Sequence, residues 1–307
     1  MKLTFVIPCY RSANTIKDVL GEIKSIMAQR PEVDYEIVAV NDCSPDSVLE
    51  ILEAEARTDS RLKVIDCSIN RGKHAALMAG YAHATGDVMV GVDDDGQCPV
   101  DRIWDLIAPL DQGYDMSMAR YGARQERGYK AIGSVVNDWM ARILIGRPKN
   151  LKFSNFTARK KWLCDELARY TNPYPYLEGL TLRLTKNIAT VPMDERPRTK
   201  GKSSFTFTKS LKLWLNGFTA FSVLPLRMAA FAGVCFSAVG FLFALVLIIR
   251  KLLHPGIPAG YASLMATLLF IGGVILTSLG LLGEYIGRMY ICLNKLPQYV
   301  VRRTINC

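Results

Sequence analysis

The sequence predicts an α/β domain on a largely parallel, doubly wound sheet, followed by a helical membrane region. Three observations predict it. Short runs rich in Val and Ile alternate with stretches of helical period through about the first two hundred residues. Two long stretches further on contain no Asp, Glu, Lys or Arg. Between these regions, Trp214 and two lysines stand among leucines and phenylalanines, the pattern of a helix lying in a membrane interface.

Leu3–Ile7, Glu36–Asn41, Lys63–Cys67 and Val88–Val92 read as strands, and Ala13–Ala28, Ser47–Thr58 and Lys73–Ala84 read as the helices between them. Strict alternation of this kind means parallel strands joined by crossovers. Ligands of such sheets sit beyond the carboxyl ends of the strands. Just past those ends come Pro8-Cys9-Tyr10, Asn41-Asp42 and Asp93-Asp94-Asp95, polar groups expected to converge on one rim.

Met228–Ile249 and Ala262–Gly283 each run roughly 22 residues, about 33 Å at ~1.5 Å per residue, enough to cross a bilayer core. Lys209, Lys212 and Arg227 precede the first stretch, and Arg288, Lys295, Arg302 and Arg303 follow the second. Between them the loop carries only Arg250 and Lys251, with His254. The positive-inside rule then puts both flanks in the cytoplasm and a short loop outside. The opening run Leu3–Ile7 is too short for a secretory signal, which keeps the large N-terminal part cytoplasmic. Leu211, Leu213, Trp214, Leu215, Phe218 and Phe221 form the interfacial stretch, although a surface helix of the soluble domain reads the same way. Tyr285, Tyr290 and Tyr299 among basic residues suggest a second interfacial segment. The expected organisation is a cytoplasmic catalytic domain over 1–206 and an amphipathic helix over 207–226. Two transmembrane helices over 227–287 and a cytoplasmic interfacial tail over 288–307 complete a multi-pass protein of the inner (plasma) membrane.

The chain has 307 residues and a formal charge of +10. Its basic residues cluster near the apolar stretches and in the 190s to 200s, not along a helix with base-reading aromatics, which argues against nucleic acid. Anionic headgroups and phosphate substrates suit the charge better. The eight cysteines are scattered without a Cys-x-x-Cys pair, which indicates neither a zinc site nor a disulfide framework.

Three adjacent carboxylates, Asp93-Asp94-Asp95, repel one another unless a cation or donor network compensates. Side chains two apart in an extended chain point the same way, so Asp93 and Asp95 can share a task while Asp94 points elsewhere. Oxygen ligands with open positions suit Mg²⁺ or Mn²⁺ bridging to a diphosphate. A solvated acidic turn is the alternative. In Asn41-Asp42-Cys43-Ser44-Pro45-Asp46, Ser44 or Asp46 would serve as a helix cap, which leaves Asp42 as the candidate ligand. Asn70-Arg71-Gly72-Lys73 opens a helix, where backbone amides and Lys73 favour phosphate, or simply cap the helix. Arg196-Pro197-Arg198-Thr199-Lys200-Gly201-Lys202-Ser203 places four cations just upstream of the interfacial stretch, where a lipid phosphate would present itself.

Phe5-Val-Ile-Pro8-Cys-Tyr10, Val40-Asn-Asp42, Asn70-Arg-Gly72-Lys73, Asp93-Asp-Asp95-Gly-Gln97 and Arg198-Thr-Lys-Gly201-Lys202-Ser203 occur in the order seen in family 2 glycosyltransferases. The chain resembles the polyprenyl-phosphate branch, of dolichyl-phosphate mannose synthase and bactoprenol glucosyltransferase type. Gly283-Glu-Tyr-Ile-Gly-Arg288 and Pro297-x-Tyr299 look like its two-span bacterial form, and the resemblance covers essentially the whole chain. It implies a GT-A fold and inverting, metal-dependent transfer from a nucleotide sugar, UDP-glucose by first resemblance, to polyprenyl (undecaprenyl) phosphate. It also implies a homo-oligomer, a tetramer. Carried onto this chain, it gives nucleotide binding to Pro8, Tyr10, Asp42, Lys73 and Asp93. Asp93 and Asp95 would hold the metal, with Gln97 assisting, Arg120 facing the phosphates, and Arg198, Lys202 and Ser203 taking the acceptor phosphate.

Two departures matter. Arg11-Ser12 replaces the Asn-Glu that often follows the tyrosine, so no glutamate is available there for a base contact. Asn155 replaces the Asp of a common Gly-Asp-Phe and cannot act as a general base. A phosphate monoester, whose second pKa is about 6, arrives largely as a dianion, so no protein base is required. Two alternatives stay open. A processive polysaccharide synthase would want a Gln-x-x-Arg-Trp segment that this chain lacks, and an inactive membrane-anchored binding protein would not need the intact acidic triplet. A dinucleotide oxidoreductase is excluded, since Pro8-Cys-Tyr10-Arg11 stands where Gly-x-Gly-x-x-Gly would be needed.

Overall fold

The computed structural model describes residues 1–122, 148, 151, 153–173, 175–194, 196, 224–253, 260–294 and 296–307. They fall into two compact units, Met1–Phe205 with Lys295–Cys307, and Thr206–Asn294.

The first unit is a mixed eight-stranded sheet in the order β7-β5-β6-β4-β1-β2-β3-β8. Its strands are β1 Lys2–Cys9, β2 Asp34–Asn41, β3 Leu62–Cys67, β4 Val88–Gly91, β5 Met116–Tyr121, β6 Thr157–Lys160, β7 Ile188–Met193 and β8 Val301–Ile305. Helices α1 Ile16–Ala28, α2 Val48–Thr58, α3 Lys73–His83 and α4 Ile103–Asp111 join the first five strands, and α5 Lys161–Ala168 and α6 Leu177–Leu184 follow β6. The elements expected between residues 3 and 92 are all present. The sheet is less parallel than expected, because β6 runs antiparallel to both β4 and β5, and β8 runs antiparallel to β3.

Burial explains why the central strands read as continuous apolar runs. On β1, Leu3, Phe5 and Ile7 pack with α1, α2 and α4 on one face, while Val6 joins α3, α5 and α6 on the other. A strand covered on both faces has no solvent side to mark with alternation. Helix α1 turns Ile16, Val19, Leu20, Ile23, Ile26 and Met27 inward at i, i+3 and i+4 spacing. Each large side chain so buried contributes about 1.5–3 kcal/mol. Helix α3 reaches the sheet through small residues. A Cβ on Gly80 would stand 2.3 Å from Val6 Cγ1, so only glycine permits this approach.

The tail from residue 288, expected as an interfacial segment, continues α8 to Leu293 and then enters the sheet as β8. Val301 to Ile305 pair with Cys67 to Val64 along the edge of the sheet. Ser68 N donates to Val300 O (2.9 Å), and Asn306 Nδ2 donates to Ala56 O (2.8 Å) and Leu62 O (3.0 Å). The edge strand's unpaired backbone groups outweigh the interfacial pattern of tyrosines and arginines. Arg302 and Arg303 reach Asp66 at 3.5 and 3.8 Å.

The second unit is a helical hairpin of α7 Leu224–Leu253 and α8 Tyr261–Leu293. Phe236 and Phe270 meet edge to face at 5.6 Å, and Phe231, Leu242, Leu268 and Leu276 are exposed. Thr277 and Ser278 bond back to the carbonyls of Gly273 (2.8 Å) and Val274 (2.9 Å), which satisfies both hydroxyls within the helix. Among the described residues one segment, Phe270–Leu293, is long and apolar enough to cross a membrane, with a mean hydropathy of 1.5. The apolar part of α7, Met228–Phe243, is shorter. Of the two expected spans, one helix has the length and composition for it, and its apolar segment lies further along the chain than Ala262–Gly283.

At the amino ends of the strands Glu36 is a buried carboxylate with a full set of donors. Thr4 Oγ1 (2.8 Å), Thr85 N (2.6 Å) and Thr85 Oγ1 (2.7 Å) donate to it, and Lys2 Nζ and Lys63 Nζ both lie at 3.0 Å. Burial alone would raise its pKa, but the bonds from Thr85, Lys63 and Thr4 outweigh burial and hold it down at about 2. The folded pKa is below the unfolded one, so the stabilisation is complete above about pH 4.5 and is lost as pH falls toward 2. Glu36→Gln should cost about 2–3 kcal/mol at pH 7, with the deficit shrinking as wild type and variant are compared at lower pH across that window. Denaturant melts at a series of pH values check this. A pH-independent deficit would mean that packing, not charge, is what Glu36 contributes.

Candidate active site

Strands β2, β1 and β4 lie side by side and run parallel, which brings their carboxyl ends to one rim. β5 points the same way, since both it and β4 are antiparallel to β6. Pro8, Tyr10, Asp42, Asp93, Asp95, Gln97 and Arg120 all belong to these ends. Lys73 reaches the rim from the first turn of α3. Pro8 is buried in β1, while Tyr10 and Arg120 are exposed. Arg120 has no ion pair among the described residues. Arg198, Lys202 and Ser203 lie outside the described residues.

Each carboxylate of the acidic turn has a different partner. Asp93 forms an ion pair with Lys73. Asp95 Oδ1 accepts the amide of Gln97 (3.1 Å), and Gly96 makes the turn possible at a φ of +75°. Asp94 turns away toward β1, where it accepts the amide of Tyr10 (2.9 Å), and its carbonyl accepts Thr15 Oγ1 (2.6 Å). Burial, reinforced by the charges of Asp93 and Asp95, raises the Asp94 pKa to about 6 against the bond from the Tyr10 amide. As side-chain alternation suggests, Asp94 points elsewhere than its neighbours and braces the turn from inside.

Asp42 is buried and organises the loop before α3. Its two oxygens accept the amides of Arg71 (2.9 Å) and Gly72 (2.8 Å), and its carbonyl accepts Asn70 Nδ2 (3.1 Å). Gly72 holds a φ of +88°, open to glycine alone at little strain, and so presents its amide to Asp42. Burial raises the Asp42 pKa, and the two amides offset part of that rise. The neighbouring polar turn ties β1 to β2: Ser44 Oγ accepts Arg11 N (2.7 Å) and donates to Asp46 (2.6 Å), which also accepts Ala13 N (2.9 Å).

Arg196 has a role that its charge alone did not reveal. Its backbone exchanges bonds with Gln97, through Gln97 Nε2 to Arg196 O (3.2 Å) and Arg196 N to Gln97 O (3.3 Å). Its guanidinium is held by Glu22 (2.7 Å) and Asp101. The first cation of the basic run is therefore an anchor that starts the run at the acidic turn. Nothing in the residue pattern marks it, because Glu22 and Asp101 are remote in sequence.

Among the described residues no three His, Cys, Asp or Glu side chains gather into a ready-made metal cage. With Asp42 engaged by two amides, Asp93 and Asp95 are the rim carboxylates suited to a hard cation that takes its remaining ligands from a diphosphate and water.

The chain matches the model of glycosyl transferase family 2 over residues 4–162 and that of the GtrB C-terminal hairpin over residues 224–289. It is 31% identical to an uncharacterized glycosyltransferase of Bacillus subtilis, with 99% of this chain and 94% of the relative covered. It is 29% identical to the bactoprenol glucosyl transferase of Shigella phage SfII, over 99% of this chain and 98% of the relative. A Proteus mirabilis undecaprenyl-phosphate 4-deoxy-4-formamido-L-arabinose transferase is also 29% identical, over 99% and 94%. Among solved structures, glucosyl-3-phosphoglycerate synthase from Mycobacterium tuberculosis, in complex with Mn²⁺, UDP-glucose and phosphoglyceric acid, has a similar fold. The TM-score is 0.53 at 19% identity, over 71% of this chain and 79% of that one.

Proposed function

The chain belongs to glycosyl transferase family 2, and we propose that it transfers glucose from UDP-glucose to a polyprenyl phosphate at the cytoplasmic face of a membrane. The observation that carries the reading is the acidic turn, with Asp93 beside Lys73 and Asp95 beside Gln97, on the same rim as Asp42. Similarity over nearly the whole length to transferases named for bactoprenol and undecaprenyl phosphate supports the acceptor. The glucosyl transferase among them supports the sugar.

In this reading Pro8, Tyr10 and Asp42 form the nucleoside end of the site, and Lys73 and Arg120 face the diphosphate. Asp93 and Asp95 would hold Mg²⁺ or Mn²⁺, which when bound would neutralise charge on the leaving diphosphate. The acceptor phosphate is already a dianion near neutral pH, so it attacks the anomeric carbon unaided by a protein base. That removes any need for a carboxylate at Asn155. What the protein must do is hold two anions in line, through Arg198, Lys202 and Ser203 for the acceptor and the rim residues for the donor. Because Arg196 is anchored at Gln97, the chain leading to Arg198 starts beside the donor. The α7–α8 hairpin would seat the enzyme in the bilayer with both helices spanning.

Asp95→Asn keeps the side-chain size and removes the charge; it should abolish transfer by purified enzyme supplied with UDP-glucose, undecaprenyl phosphate and Mg²⁺. Near-normal turnover in this variant, or indifference of the wild type to EDTA, would remove the metal from the mechanism. Arg198→Ala should raise KM for polyprenyl phosphate or lower kcat by about tenfold to a hundredfold, the loss of one charge-assisted contact. Its UDP-glucose affinity should hold; if that affinity falls instead, the basic run clamps the donor. For topology, a cysteine at Gly256 should react with an impermeant thiol reagent outside intact cells and one at Ser60 should not, and equal labelling of both would sink the orientation.

A further inference from the structure

Next to the acidic turn, on the face of the sheet covered by α3 and α6, lies a cavity of about 90 Å³ whose walls are part polar and part apolar. A single water needs only ~10–15 Å³ by this measure, so there is room for a ring rather than one solvent molecule. Lys73 and His74 come from the first turn of α3, Asn155, Thr157 and Arg159 from β6 and its approach, and Glu178 from the first turn of α6. Gly91, the last residue of β4, also faces it. A Cβ there would stand 3.0 Å from Thr157 Oγ1 and 3.4 Å from Asn155 O, so any larger residue would crowd this wall.

The polar groups of this cavity are left incomplete by the protein itself. Arg159 is only 5% exposed, yet among the described residues no carboxylate lies within ion-pairing distance of it. Its guanidinium donates to Tyr81 Oη (2.8 Å) and Thr157 Oγ1 (2.6 Å) and lies over the Tyr81 ring, while Nε is buried with no partner. Nδ1 of His74 is likewise buried and unpartnered. Burial lowers the His74 pKa, with Lys73 and Arg159 adding to the effect against Glu178, which keeps the ring neutral near pH 7. Glu178 has no hydrogen bond or ion pair among the described residues. Buried donors and acceptors without partners are uncommon and point to something that supplies them.

We propose that this cavity receives the sugar of the nucleotide-sugar donor, and that Glu178, His74 and Arg159 read the hydroxyls of a neutral monosaccharide. The inference rests on the donor reading above and adds to it the residues that select the sugar. Position argues for it: Lys73 is shared between the cavity and Asp93, where the diphosphate would be held, and the sugar is bonded directly to that diphosphate. Charge argues for neutrality. Lys73 is offset by Asp93, and Arg159 and Glu178 are one cation and one anion on the same cavity, so a uronate or a free amino sugar would unbalance the set. A carboxylate, a neutral imidazole and a guanidinium together give both acceptors and donors, which is what a ring of hydroxyls requires.

Calorimetric titration of the full-length protein in detergent with Mg²⁺ tests this, comparing UDP, UDP-glucose and UDP-glucuronate. Wild type should bind UDP-glucose more tightly than UDP and gain nothing from UDP-glucuronate. Glu178→Gln should weaken UDP-glucose by about tenfold, the loss of one charge-assisted contact, and leave UDP within about twofold. The same variant, with the anion gone, should bind UDP-glucuronate more tightly than wild type does; a merely structural role for Glu178 would weaken both sugars alike. The inference is overturned if Glu178→Gln leaves all three ligands unchanged, which means a water-filled cavity. Equal loss of UDP and UDP-glucose affinity, or a wild-type preference for UDP-glucuronate, overturns it too. Running GDP and GDP-mannose in parallel keeps the tests apart: binding only of the guanosine pair would displace UDP-glucose from the function while the sugar-against-nucleotide comparison still judges the cavity. Failure to glycosylate undecaprenyl phosphate would sink the acceptor reading alone.

Discussion

Three adjacent carboxylates at a strand end are the constraint around which the catalytic unit is arranged. Side by side at the end of β4 they repel one another, and without compensation at least one would have to take up a proton. The fold assigns each a separate remedy. Asp93 meets the ammonium of Lys73, Asp95 accepts the amide of its own turn, and Asp94 is drawn inside by Tyr10. The surrounding elements are placed by these demands: the first turn of α3 must bring Lys73 to the rim, and the β1 loop must stay within reach of Asp94. Asp42 contributes to the same end, since by gripping the amides of Arg71 and Gly72 it sets where α3 begins.

Much of this was legible in the residues. The central strands and first three helices follow from periodicity, and the shared rim follows from the direction that alternation imposes on parallel strands. Even the inward turn of Asp94 follows from side-chain alternation. What was not legible depends on contacts between residues distant in sequence. The run Val301–Ile305 is short, carries two arginines and follows an apolar helix, so local pattern assigns it to a membrane surface; only the open edge of β3 makes it a strand. Arg196 looks like the other cations of its run until Glu22 and Asp101 are brought to it. Arg159 escaped notice for a related reason. On a short strand and followed by two lysines it reads as surface, and its burial against Tyr81 appears only once α3 is packed on the sheet.

The substitution of Asn155 for a frequent aspartate takes on a physical sense beside the cavity. A carboxylate there would add a second negative charge to the cavity that Glu178 lines, and the reaction proposed above gives it no proton to take. An amide keeps the hydrogen-bonding capacity without the charge.

The pairing of β8 with β3 has a consequence for the order in which the molecule is made. The chain leaves the catalytic unit after Phe205 and returns to it at Lys295. On the ribosome the whole helical hairpin therefore emerges before the strand that covers the edge of β3. Until then the nascent sheet carries an open edge, which is a template for mispairing with other chains. Completion of the sheet thus waits on the synthesis of the hairpin, and the last strand to be made closes the edge of a unit begun some three hundred residues earlier.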